Sequence, residues 1–373
     1  MMRKCLCLLL ICTLLVLTGC YDAVDLGERI FAINLALDTG ESNALRLTLQ
    51  YPQITPTGSE NAQKDSKLQK NGYVIEQVEG NDLHTCLELM RIVTPRQISL
   101  MQLRGLFISD ALAKNRTLLS ASLTALSDAY SARPTALVHI TRGRAEEVLM
   151  QQSPLFGARL SKSQSAQNNA LLAQGVIPSA PLNLFYQHLF DPAHSAMAVL
   201  TAVNPMKSMD SPKDADSQPT AYFAGELPRN TEDAVDLCGS AVFGEDELLY
   251  LNGYETQLIN LLTGYLRKMD LTVSGSTVTL EIVRTPDISV KLDGSNALIR
   301  VRLPIRCEKA DAARYTEQLK QDVTSLLLKL QQHHLDPVGI ADRARIHART
   351  IEAWQQMDWP TLYSSACFDV DIY

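Results

Sequence analysis

The chain has 373 residues, 41 acidic side chains against 34 basic ones, and a formal net charge of −7. That length allows two or three domains with full cores, and the lack of a basic face argues against nucleic-acid binding. Aromatic residues make up 6% of the chain and do not cluster, which disfavours a carbohydrate site.

At the N-terminus, Arg3 and Lys4 precede an apolar run from Cys5 to Thr18 that closes on Leu17-Thr18-Gly19-Cys20. A basic start, a short apolar stretch and small residues before a cleavage point make an export signal. The run holds 14 residues, short of the ~20 that span a bilayer. A secretory signal without lipid fits the length but does not call for cysteine directly after Leu-Thr-Gly. The pattern is the lipobox of bacterial lipoproteins, so Cys20 is expected to carry a diacylglyceryl group once residues 1–19 are removed. Two acyl chains anchor a protein stably where one does not. The remaining 354 residues carry 32 Lys+Arg against 41 Asp+Glu, a net charge of −9. Asp22, Asp25 and Glu28 follow Cys20, so the expected anchor is lipid and not attraction to anionic headgroups.

Of the eight cysteines, Cys5, Cys7 and Cys12 leave with the leader and Cys20 is blocked. Cys86, Cys238, Cys307 and Cys367 remain, and their pairing is open. Each lies in an apolar context, so buried free thiols are expected.

Along the rest of the chain, Ile30–Asp38 and Leu45–Tyr51 flank a turn cluster and read as a hairpin. Residues 55–72 read as a polar loop, and Tyr73–Val78 as a strand. Asp82 is a helix cap for Leu83, Cys86, Leu87, Leu89 and Met90, and Pro95 stops that helix. Strand Leu103–Ser109, helix Leu118–Tyr130, strand Ala136–Thr141 and a helix from Ala145 follow. Residues 151–181 read as helix with loop breaks, then a helix over Pro181–Phe190 and a strand over Ala196–Val203. Asn204–Pro219 has three prolines, three serines, three aspartates and no large aliphatic residue. Such a stretch cannot fold alone and is expected to be a linker.

Three hairpins are expected beyond it. They are Val235–Phe243 with Leu248–Leu251, Leu271–Val273 with Val278–Val283, and Ile288–Leu292 with Ala297–Ile305. Tyr254–Leu262 reads as a helix. A long helix carries Tyr315, Leu319, Val323, Leu326, Leu327 and Leu330 at three- and four-residue steps. Asp336-Pro337 starts a further helix, and Phe368–Ile372 is a terminal strand. Clustered strands and helices imply a multi-domain α+β fold with mixed and antiparallel sheets and packed helices. The expected divisions are a signal peptide at 1–19, an N-terminal α+β region at 20–203, a linker at 204–220 and a C-terminal α+β domain at 221–373.

The sequence lacks a Gly-x-Ser-x-Gly elbow, a His-Glu-x-x-His pair and a phosphate-binding loop. The seven histidines are scattered. His188 and His194 are six apart, off a common helix face, and the adjacent His333 and His334 point apart. No metal set or cofactor is expected. Glu245, Asp246 and Glu247 fit a solvated hairpin tip better than a catalytic cluster. The chain reads as non-enzymatic.

Gly239-Ser240-Ala241-Val242-Phe243-Gly244-Glu245-Asp246-Glu247-Leu248, with Glu255-Thr256 downstream, resembles the "G-x-A-V-F-x-x-D-x-L" core of the Ger(x)C spore-germination lipoproteins. Cys20-Tyr21-Asp22 is similar to that family's Cys-Trp-Asp opening. Thr141–Leu149 and Leu103–Lys114 resemble its mid-domain passages. Asp336–Ala341 falls at its Asp–aromatic–Gly motif, with Val338 in place of the aromatic residue. The resemblance implies a lipid-anchored C subunit of a nutrient-germinant receptor, on the extracytoplasmic face of the spore inner membrane. Its implied partners are the integral-membrane A- and B-type subunits, and its implied fold is multi-domain α+β without a catalytic site. The alternative from the residues alone is an extracytoplasmic solute- or cell-wall-binding lipoprotein.

Overall fold

The structure, a computed structural model, describes Arg3 and residues 26–53, 69–70, 72–94, 96–128, 132–154, 159–205, 218–229, 234–245, 247–293, 296–308 and 311–373. In chain order the first strands are β1 (Arg29–Phe31), β2 (Asn34–Thr39), β3 (Leu45–Pro52), β4 (Gln69–Lys70), β5 (Tyr73–Gly80) and β6 (Gln97–Ser99). They continue with β7 (Gly105–Ser109), β8 (Leu137–Thr141), β9 (Met197–Asn204), β10 (Ala234–Phe243) and β11 (Leu248–Leu251). All but β1 and β6 form one nine-stranded sheet in the order β11-β10-β9-β8-β7-β2-β3-β5-β4. Strands β2, β7, β8 and β9 are a parallel block. Antiparallel strands extend it on both sides.

Alternation explains the two faces of this sheet. Leu35, Leu37, Leu47, Leu49, Leu106 and Ile108 point into one core, under helices Leu83–Val93, Arg116–Asp128 and Leu182–Phe190. The other face is buried but polar, with Asn34, Asp38, Gln50, His139 and Thr201. Buried polar groups call for partners, and each of these side chains finds one, although Asn34 Oδ1 accepts no hydrogen bond among the described residues. The Asp38 carboxylate accepts the Ala145 and Glu146 N–H groups at 2.7 and 3.0 Å, capping helix Ala145–Gln151. Asn34 Nδ2 donates to Gln50 Oε1 at 2.6 Å and to Gln152 Oε1 at 3.1 Å. His139 stacks on Phe107 at 4.3 Å and meets Thr201 Oγ1 through Nδ1 at 3.0 Å. Part of this face lies under helix Leu160–Gln174, whose Gln164 Nε2 donates to Gln152 Oε1 at 2.8 Å.

The expected division at 204–220 is crossed by strand pairing. β9 ends at Asn204, and β10 pairs with it antiparallel from Ala234 onward. Residues 206–217 lie outside the described residues, as do residues 55–68 and 71 of the expected polar loop and residue 95. β10 carries the glycine of the Gly239–Leu248 motif at a register shift between Leu237 and Ser240. Gly239 has φ +91, and a Cβ there would stand 2.3 Å from the Leu251 carbonyl oxygen. Only glycine fits that conformation and that approach. Next to it, Ser240 and Thr256 hydroxyls pair at 2.9 Å. Asn252 and Glu255 form a reciprocal capping box on helix Gly253–Leu262.

The remaining strands are β12 (Lys268–Val273), β13 (Ser276–Ile282), β14 (Asp287–Asp293), β15 (Asn296–Leu303), β16 (Ile305–Cys307) and β17 (Cys367–Ile372). They form two three-stranded sheets, β12-β13-β16 and β14-β15-β17, the last pair parallel. Helix Ala312–Gln332 buries the six residues its spacing predicts. Its core is shared with helix Gly253–Leu262 and reaches Val242 and Leu251 of the large sheet. The whole is a multi-domain α+β fold with mixed sheets. No helix among the described residues is long and apolar enough to cross a membrane.

Two expectations need correction. Cys86 and Cys238 are buried free thiols, but Cys307 is half-buried and Cys367 is exposed. Cys367 opens the terminal strand, where alternation turns its side chain outward. Gln69 and Lys70, expected within the polar loop at 55–72, form β4 and pair with β5.

Gly239→Ala should cost about 1–3 kcal/mol of stability by urea denaturation, and an unchanged midpoint contradicts this account of the motif. Burial holds the His139 imidazole down to about 3 from 6.5. Between those values the unfolded chain binds a proton that the folded chain refuses. His139 therefore leaves stability intact above pH about 6.5 and erodes it as pH falls toward about 3. His139→Gln should flatten the acid limb of stability against pH, and a limb of the same slope counts against it.

Candidate functional site

Polar and apolar groups converge where residues 178–197 meet residues 335–345. Helix Leu182–Phe190 ends before Asp191-Pro192. The Ala193 and His194 N–H groups donate to Asp191 at 2.9 and 3.2 Å, so the chain reverses. That reversal lays His194 on His188, with ring centroids 4.5 Å apart and planes 8° from parallel.

The second half of the chain closes on this turn through backbone and side chain together. Ser195 N–H donates to the Asp336 carbonyl at 3.1 Å, and Asp336 N–H donates to Ser195 Oγ at 2.9 Å. The Asp336 carboxylate accepts Gly339 N–H at 2.9 Å and Ala341 N–H at 2.7 Å. It thereby satisfies the start of helix Ile340–Arg345. His194 Nε2 lies 2.8 Å from Asp342 Oδ2. Gly339 has φ +78, and a Cβ there would stand 3.0 Å from His194 Cε1. The Asp–x–x–Gly spacing is thus a physical requirement of the seam: the acid caps, and the glycine lets the histidine approach.

Burial, and then the His194 charge, hold the His188 imidazole below its ordinary range. Burial raises the Asp336 carboxyl against the lowering pull of the Ala341 N–H. Burial and Asp336 likewise raise the Tyr363 phenol, whose hydroxyl donates to the Leu335 carbonyl at 2.9 Å.

A cavity of about 240 Å³ opens beside the stacked rings, walled by Phe185, Met197, Ile259 and Val338 with both histidines. Asn260 fixes one wall by donating to the Gly175 and Ile177 carbonyls at 2.8 and 2.9 Å. An apolar recess of that kind accepts a small apolar group, with imidazole nitrogen as the hydrogen-bonding element. Among the described residues no three His, Cys, Asp or Glu side chains converge to hold a metal ion.

Cys20 and Asp246 lie outside the described residues. Glu245 is exposed, and Glu247 pairs with His333 at 2.6 Å, as befits a hairpin tip. His188 and His194 do occupy different elements, but the turn stacks them, which residue spacing alone does not reveal. The signal available was Asp191-Pro192 directly after a helix, a chain reversal.

The family described as "Spore germination protein N-terminal domain" matches residues 22–203. The family described as "Spore germination B3/ GerAC like, C-terminal" matches residues 238–373. YfkR of Bacillus subtilis (strain 168), named for spore germination, is 23% identical over 150 residues, which are 39% of this chain and 37% of that protein. The match therefore spans little more than a third of that relative's length. The crystal structure of the GerBC protein is similar over 91% of this chain and 95% of that one, at 17% identity and a TM-score of 0.49.

Asp336→Ala leaves two buried N–H groups without their acceptor and should cost about 3 kcal/mol by urea denaturation. A loss within the ~0.5 kcal/mol of an ordinary surface change contradicts the seam assignment.

Proposed function

The chain belongs to the GerAC-like family of spore germination proteins, and from that membership we propose that it is a lipid-anchored, non-catalytic subunit of a nutrient-germinant receptor. Cys20 carries the diacylglyceryl anchor. The globular body sits on the extracytoplasmic face of the spore inner membrane, beside integral A- and B-type subunits. The observation that carries this reading is order along the chain: the lipobox ends at Cys20, and the family match begins at Asp22. Tethering raises the local concentration of the body toward integral partners, so modest protein–protein contacts suffice.

The cavity of about 240 Å³ favours the other reading, an extracytoplasmic solute- or wall-binding lipoprotein. Saturable heat on titration with amino acids or sugars would support that alternative, and its absence supports the receptor reading.

Cys20→Ala should abolish lipidation, release the protein from membranes and slow the nutrient response of spores. Mass spectrometry of the mature N-terminus, membrane fractionation and germination assays check this. Normal retention and a normal response in the variant contradict it.

A further inference from the structure

The chain enters the β1–β6 ribbon soon after Cys20. Turn Leu26–Glu28 runs directly into β1, and β1 pairs in parallel with β6, Arg29 opposite Gln97. Cys20 is six residues before Leu26, so even a fully extended segment reaches at most about 20 Å. Any lipid on Cys20 therefore brings this corner to the bilayer surface.

The same corner carries an apolar stripe that the core does not use. Helix Leu83–Val93 buries Leu83, Cys86, Leu87 and Met90. It leaves Leu89 38%, Ile92 79% and Val93 56% exposed. Leu89, Ile92 and Val93 lie three and four positions apart, so they share one face. Ile92 is the most exposed large hydrophobic side chain among the described residues. Met101, 57% exposed, lies just past the other end of β6.

Charge around the stripe runs against that of the whole chain, which is −7. Arg29 and Arg96 flank the Gln97 end of the ribbon, and neither makes an ion pair among the described residues. Arg133 donates its N–H to the Leu100 carbonyl at 3.2 Å. It lies close enough to Arg104 to lower that guanidinium's pKa further, after burial. The carboxylates nearest in sequence are Asp22, Asp25, Glu28 and Glu88, and Glu88 is paired with Arg91 at 2.5 Å. Acidic residues dominate the sequence just after Cys20. The arginines at this corner come from distant positions and are assembled only by the fold.

We propose that the Leu89–Ile92–Val93 stripe, Met101 and the flanking Arg29 and Arg96 form a second membrane contact, seated in the headgroup region of an anionic bilayer. Apolar side chains enter the interface and guanidinium groups meet lipid phosphates, the two attractions that hold amphipathic surfaces on membranes. The proposal rests on the reading of Cys20 as the anchor. Its consequence is orientation: a single lipid tether lets the body tumble, whereas this contact fixes which face meets the bilayer.

The test uses the full-length processed protein in vesicles of phosphatidylglycerol and phosphatidylethanolamine, with Cys367→Ser to remove the exposed thiol. An environment-sensitive fluorophore is placed through Ile92→Cys, or through Leu328→Cys on the exposed face of helix Ala312–Gln332 as the control. Flotation first establishes tethering. In floated protein, spin-labelled lipid should quench the label at 92 several-fold more than the label at 328. Arg29→Glu with Arg96→Glu should reduce that difference without releasing the protein. Equal quenching at both positions in floated protein overturns the membrane contact while leaving the anchor standing. If the protein carries no lipid and does not float, the anchor reading fails by itself. The same label on added anionic vesicles then decides the patch, with selective quenching at 92 supporting it and none overturning it. Shielding of position 92 that requires a co-purified protein instead of lipid also overturns it, in favour of a protein interface.

Discussion

Antiparallel pairing of β9 with β10 is the constraint on which the architecture depends. The chain between these two strands is rich in proline, serine and aspartate. Their hydrogen bonds nevertheless return the chain to the sheet it has just left. β10 then delivers the Gly239 bulge, which lets the Leu251 carbonyl come close and sets helix Gly253–Leu262 over the second core. Immediately before β9, the Ser195–Asp336 exchange ties the far end of that second core to the same strand. The two halves are therefore joined at the middle of one strand pair and at its Met197–Val242 end, and the stacked histidines and their cavity lie in the joint.

The sequence reveals most where one physical rule acts alone. Spacing identifies all six buried residues of helix Ala312–Gln332, because an amphipathic stripe on a long helix has one interpretation. Asp82 is legible as a cap, and its carboxylate accepts Thr85 N–H at 2.7 Å. The three C-terminal hairpins follow from turn residues between alternating runs. Legibility fails where tertiary pairing decides. β1 and β6 have three residues each and pair across about 70 positions of sequence, too short for any periodic signal. The buried polar face of the sheet reads locally as solvent-facing, since its partners are glutamines and backbone amides far along the chain. His188 and His194 meet only because a turn folds one onto the other.

The Ger(x)C motif residues acquire physical meaning in this setting. Gly239 and Gly339 occupy positive-φ positions at close approaches, Glu255 completes a capping box and Asp336 caps a helix. These are architectural duties. In the proposed reading such a scaffold serves position and contact, with its orientation set at the corner nearest Cys20. The stacked histidines add a site where charge and packing are coupled, because burial and mutual repulsion both disfavour protonation of His188.

The central claim is membership of a membrane receptor assembly, and affinity purification of the tagged full-length chain from spore inner membranes in mild detergent tests it most directly. The account predicts that A- and B-type integral subunits co-purify with it in fixed proportion, and that the bait's N-terminal cysteine bears diacylglycerol. A bait recovered alone from the membrane fraction, or recovered without lipid from the soluble fraction, contradicts it.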